Sequence, residues 1–118
     1  MKIVINDNFG GFSLSDSAFE IFLYLKGIAW EKRVREDYDF CEYYHAGHLG
    51  DDEYYLYSRD MTRDRSDLDL VAVVESLGSK ANGVYADLKV VEIPDDVEWH
   101  ICEHDGLEHV AENHRTWR

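Results

Sequence analysis

The chain predicts an α+β fold: a small, mostly antiparallel sheet with two main helices and a short C-terminal helix. Short β-branched runs at residues 2–6 and 88–93 suit strands, two segments repeat their apolar residues at helical spacing, and Gly, Asn and Pro clusters separate the elements. The 118 residues are 45% hydrophobic and 14% aromatic with one proline, enough apolar material for a core and unlike a disordered chain. One domain over residues 1–118 is expected, with a variable, tyrosine-rich acidic excursion at about 28–60.

Lys2-Ile3-Val4-Ile5-Asn6 reads as a buried strand ended by the glycine-bearing loop Asp7-Asn8-Phe9-Gly10-Gly11-Phe12. Ser13 or Ser15 caps a helix over residues 15–26, whose apolar positions Ala18, Phe19, Phe22, Leu23 and Leu25 recur at helical spacing and which stops at Gly27. The excursion mixes Tyr38, Tyr43, Tyr44, Tyr54, Tyr55 and Tyr57 with many carboxylates. Residues 30–34 and 54–59 suit short strands there, joined through His45-Ala46-Gly47-His48. Ser66 caps a second helix with Leu70, Val71, Val73, Val74 and Leu77 inward, and Gly78 ends it. Ala81-Asn82-Gly83 is a turn signal. Residues 88–93 and 97–103 form a hairpin about Pro94-Asp95-Asp96, and residues 107–114 form the last helix.

Twelve Lys and Arg face 25 Asp and Glu, a formal charge of −13. That excludes simple duplex nucleic-acid binding, which needs clustered cations to release phosphate counterions. No run of about 20 apolar residues could span a membrane and no leader pattern opens the sequence, so a cytoplasmic location is expected. Cys41 and Cys102 make no disulfide framework.

The basic residues fall mainly in three clusters: Lys32, Arg33 and Arg35; Arg59, Arg63 and Arg65; Arg115 and Arg118. Guanidinium forks bind phosphate bidentately, and a surrounding negative field repels bulk polyanions, so such clusters suit a small phosphate-bearing ligand. The competing reading pairs them with surface carboxylates. Phe9 and Phe12, flanking two glycines, either stack on a base or plug the core. Asn82 either shapes its turn or hydrogen-bonds a ligand. Cys41, His45 and His48 have a spacing compatible with zinc but no fourth ligand, so no metal is assigned. No catalytic residue and no cofactor is assigned either. The His and Asp residues near the C-terminal end have no nucleophile beside them.

Three stretches carry a resemblance: Lys2-Ile3-Val4-Ile5-Asn6 with Gly10-Gly11-Phe12-Ser13-Leu14-Ser15; Val90-Val91-Glu92-Ile93-Pro94-Asp95-Asp96-Val97-Glu98-Trp99; and Asp105-Gly106-Leu107-Glu108-His109-Val110-Ala111-Glu112-Asn113-His114-Arg115-Thr116-Trp117. With the helix and turn at residues 68–83, they resemble the phage and prophage Thoeris anti-defence sponges that sequester cyclic ADP-ribose-type immune signals. The tyrosine-rich middle lies outside the likeness, and Leu68 stands where such proteins have proline. The resemblance implies a non-enzymatic protein in the host cytoplasm, a homo-oligomer (dimer or hexamer) holding a cyclic ADP-ribose isomer in pockets between subunits. Some members also hold a cyclic oligonucleotide at a separate site. Carried onto matching positions, it implies ligand-binding roles for Arg63, Arg115 and Thr116. Phe9, Phe12 and Asn82 join them from the residue chemistry alone. Two rivals stand beside it: an enzyme using Glu108 or His109 to cleave the same signal, and an acidic interaction protein that mimics nucleic acid toward a host partner.

Overall fold

The computed structural model describes residues 1–37 and 40–113. In chain order the elements are β1 (Lys2–Asn6), α1 (Asp16–Leu25), β2 (Trp30–Val34), β3 (Cys41–His45), α2 (Ser58–Met61), α3 (Leu68–Leu77), β4 (Leu88–Glu92), β5 (Trp99–His104) and β6 (Leu107–Glu112), with single 3-10 turns at Asp52–Tyr54 and Gly78–Ala81. The α+β class is as the sequence predicts. The strands, however, form three separate antiparallel pairs among the described residues, β1 with β4, β2 with β3 and β5 with β6, rather than one sheet.

The core lies where the apolar periodicities converge. β1 buries Ile3, Val4 and Ile5, α1 buries Ala18, Phe19, Phe22 and Leu23, and α3 buries Leu70, Val71, Val73 and Val74. Ser15 is the cap of α1: its hydroxyl accepts from the Ala18 N–H and donates to the Lys80 carbonyl. The cap of α3 is Asp67 rather than Ser66, its carboxylate accepting from the Asp69 and Leu70 N–H groups. A carboxylate suits the positive end of the helix better than a hydroxyl does. The Lys26 ammonium bridges Asp67 and Asp69, joining the end of α1 to the start of α3.

Three expectations are corrected. Residues 107–112 are a strand, not a short C-terminal helix, because Asp105 and Gly106 take φ of 50° and 90° and close a two-residue hairpin with His104 opposite Leu107. Asp-Gly is a strong signal for that turn. β5 therefore pairs with β6 and not with β4, which pairs with β1, Ile3 opposite Val91. In the excursion, the second strand is Cys41–His45, not 54–59; Tyr55 only bridges Tyr44, and residues 58–61 turn into α2.

The β2–β3 pair has two unlike faces. Tyr43 packs inward, edge-on to Phe19 and Trp30, and its hydroxyl donates to Glu20. On the other face the buried Glu42 carboxylate accepts from the Tyr44 hydroxyl at 2.6 Å and from Arg33 at 2.8 Å. Those hydrogen bonds, Tyr44's first and then Arg33's, hold the Glu42 carboxyl below its ordinary value of 4.5.

Two predictions follow from these contacts. A Cβ on Gly106 would sit 2.2 Å from the Gly11 nitrogen and 2.7 Å from that of Gly10, besides requiring a left-handed backbone. Gly106→Ala is therefore expected to cost at least about 2 kcal/mol in urea denaturation; unchanged stability would show the hairpin free to move off the glycine loop. Because the folded pKa of Glu42 lies below the unfolded one, its contribution is present above pH 4.5 and is lost as pH falls through the folded value. Glu42→Gln should be less stable than wild type at pH 7, and the gap should shrink on titrating from pH 5 toward pH 3. A gap constant with pH would mean that Glu42 is not an ionised partner.

Candidate functional site

Two features of the sequence place a cleft beside the core. The glycine loop after β1 brings Gly11, Phe12 and Ser13 to one side, and the tight Asp105-Gly106 turn brings Glu103, Gly106 and Glu108 to another. α2 and the turn after it supply Ser58, Arg59, Thr62, Arg63 and Arg65. The cleft is open to solvent and has a volume of about 820 Å³, in the range of small-molecule sites.

A polar lock fixes the hairpin side of this cleft. The Arg65 guanidinium meets both oxygens of Glu108, at 2.6 and 3.0 Å, and sits over the Phe12 ring with its Cζ 3.6 Å from the centroid. Side-chain exposure is 16% for Arg65 and 7% for Glu108, so the pair is largely desolvated. Glu108 also accepts from the Asn6 N–H at 2.8 Å. The fully buried Asn6 side chain donates to the Gly106 and Asn8 carbonyls and accepts from the Asp87 N–H. In the hairpin ladder Glu103 stands directly opposite Glu108 and accepts from the Gly106 N–H at 2.6 Å.

The basic residues divide by partner. Arg33 and Arg35 both reach Glu42, and Lys32 reaches Glu20, so the first cluster is structural. In the second, Arg65 is consumed by Glu108, and Arg63 makes only an exposed pair with Asp60 at 2.9 Å. Arg59, solvent-exposed on α2, makes no ion pair or hydrogen bond with described residues. Two arginines are thus available to an anion in the cleft, beside the hydroxyls of Ser13 and Ser58.

Of the residues singled out by sequence, Phe12 and Arg63 line the cleft together. Phe9 is 58% exposed and is not among its lining residues. Asn82 serves its turn: its side-chain oxygen accepts from the Leu88 N–H at 2.8 Å, and its backbone bridges Leu14. Arg115 and Thr116 lie outside the described residues. Sequence reasoning grouped Arg59 and Arg65 with Arg63 but did not place them in a site, and it missed Ser58, Thr62 and Glu103. The Asp-Gly turn is the signal that would have set Glu103 and Glu108 face to face.

A second, shallower depression of about 430 Å³ lies between Gly27, Ile28, Ala29 and the loop from His45 to Tyr54. His48 stacks on Tyr54 there, 3.6 Å between centroids. Among the described residues no group of three His, Cys, Asp or Glu side chains is placed to hold a metal ion. Burial, and then the charge of Asp16, raise the Cys41 thiol above its ordinary value, which keeps it protonated and a poor ligand. No helix among the described residues is long and apolar enough to cross a membrane.

The described residues thus form an α+β fold with an arginine-lined cleft held by a buried ion pair. Comparison with protein-family models, characterised proteins and solved structures finds no match to it.

Arg65→Ala leaves Glu108 buried without its counter-ion, an expected loss of about 3 to 5 kcal/mol by urea denaturation. The double variant Arg65→Met with Glu108→Leu should regain only part of that loss, because the Asn6 N–H then has no acceptor. A single variant as stable as wild type would show that the pair is not what closes the cleft.

Proposed function

We propose that the protein captures a small phosphate-bearing nucleotide in this cleft and withholds it unchanged, acting as a sponge for a cyclic ADP-ribose-type immune signal. The observation that carries this reading is the pair of arginines, Arg59 and Arg63, left for an anion in an 820 Å³ cleft of an otherwise acidic protein. Their guanidinium groups would neutralise a pyrophosphate, and the hydroxyls of Ser13 and Ser58 would complete its hydrogen bonding. The Phe12–Arg65 stack supplies a rigid planar surface next to them, suited to a base or a ribose face. The likeness to the Thoeris sponges supplies the identity of the signal. It also implies the assembly, a dimer or hexamer, and ligand-binding roles for Arg115 and Thr116.

Capture needs tight binding and slow release, and not a transition state. A preorganised wall lowers the ordering cost on binding, so that affinity is gained mainly through a slower off-rate. The protein's own negative field repels polyanionic nucleic acid while the local arginines attract a compact anion. The protein would then act in the cytoplasm of the infected host, without cofactor.

Incubation with lysate that contains the activated Thoeris signal, followed by filtration, heat release and mass spectrometry, tests the reading. Recovery of an unchanged cyclic ADP-ribose isomer is the expected result, with retention falling about tenfold in Arg59→Ala and in Arg63→Ala. A cleaved product would make the protein an enzyme. Retention of a basic host protein and no nucleotide would replace the reading by that of an acidic, nucleic-acid-mimicking inhibitor.

A further inference from the structure

The β5–β6 hairpin places two carboxylates, Glu103 and Glu108, directly opposite each other at the mouth of a site that otherwise favours anions. Like charges in that register repel, and the repulsion must be answered. Glu108 is answered fully: Arg65 takes both of its oxygens, and Asn6 adds a third hydrogen bond. Glu103 is answered only in part. Glu103 is exposed: its Oε1 accepts from the Gly106 N–H, while among the described residues its Oε2 has no hydrogen-bond donor and no cation is paired with it, which leaves that oxygen open to solvent and to a ligand. The cleft is therefore dipolar, with Arg59 and Arg63 on the α2 side and a half-satisfied carboxylate on the hairpin side.

We infer that Glu103 is a specificity-determining residue that accepts hydrogen bonds from the neighbouring hydroxyls of a ribose while the arginines hold the ligand's phosphate, and that it rejects a ligand phosphorylated on one of those hydroxyls. This rests on the nucleotide reading of the cleft. The chemistry is that by which an acidic side chain reads a ribose 2′-hydroxyl in dinucleotide sites, where acceptance of a 2′-phosphate needs an arginine instead. Of the arginines that line the cleft with Glu103, Arg65 is already held by Glu108 and Phe12. A second phosphate set against Glu103 would meet a carboxylate without compensation, and like-charge juxtaposition at an interface is strongly unfavourable. Glu103 thus separates a ribosyl phosphate ligand from a more highly charged one of nearly the same shape.

Isothermal titration calorimetry of the full chain with cyclic ADP-ribose and with cyclic ADP-ribose 2′-phosphate tests the assignment. Wild type is expected to prefer the unphosphorylated ligand by at least about tenfold, and Glu103→Gln to reduce that preference below about threefold. Glutamine keeps an acceptor for the Gly106 N–H, and an unchanged melting temperature verifies that the hairpin is intact. Equal binding of the two ligands by wild type, or a preference that survives in Glu103→Gln, overturns the role of Glu103 and leaves the nucleotide reading standing. Binding of neither ligand overturns this assignment, and the nucleotide reading falls with it only where the lysate experiment also retains no isomer.

Discussion

The cleft depends on one buried ionic contact, Arg65 on Glu108, made between segments 43 residues apart in sequence. Three two-stranded pairs give a chain few ladder hydrogen bonds to share between elements, and an isolated hairpin is at best marginally stable in water. The β5–β6 hairpin is fastened to the core through polar groups: Glu108 to Arg65 and to the Asn6 N–H, the Asn6 side chain to the Gly106 carbonyl, and the Gly10 N–H to the Asp105 carbonyl. Burying such groups is costly unless each finds a partner, and here each named atom does. The same lock that attaches the hairpin to β1 also presses Gly106 against the backbone of Gly10 and Gly11. That closeness turns a loop and a turn into one wall.

Charge pairing elsewhere gives the cleft its character. Lys2 is paired with Glu75, Lys26 with Asp67 and Asp69, Lys32 with Glu20, and Arg33 and Arg35 with Glu42. The exposed ones among these pairs add little stability, yet all of them spend cations that would otherwise attract anions across the surface. With a formal charge of −13, the field outside the cleft is repulsive to polyanions. Arg59 and Arg63 then stand out as cations in a concave place, where converging donors bind an anion better than the same groups on a flat face.

The elements most legible in the sequence are those that bury a run of apolar residues, even where, as at Asn6 in β1, a polar residue is buried at the end of the run. β1, α1 and α3 show uninterrupted apolar positions at the period of their own geometry, and β4 is a β-branched run. The two strands that were not legible, β3 and β6, each bury a glutamate, Glu42 in one and Glu108 in the other. A charged letter at an inward position breaks the alternation that marks a strand, and in β6 the remaining Leu107, Val110 and Ala111 imitate helical spacing. The candidate site shared this blindness. Arg63 and Phe12 were legible as a cation beside an aromatic and a glycine loop, whereas the cleft they line exists because Glu108 faces inward to meet Arg65. Nothing local to either residue announces that pairing.

The two sides of the cleft are held unequally, and that inequality suits capture. The hairpin side is fastened by the desolvated Arg65–Glu108 pair, with Arg65 set over Phe12, and the exposed Glu103 is tied to it by its hydrogen bond from the Gly106 N–H. The α2 side is a four-residue helix without a side-chain cap, and its arginines are exposed, Arg63 at 77% of its side-chain surface. Long exposed side chains lose rotamer freedom when they close on a phosphate, and that ordering cost falls only on this side. A rigid template that selects and a pair of adaptable cations that clamp divide recognition from retention. Selectivity then depends on where the fixed groups lie, and residence time on how completely the guanidinium forks engage once the ligand is seated.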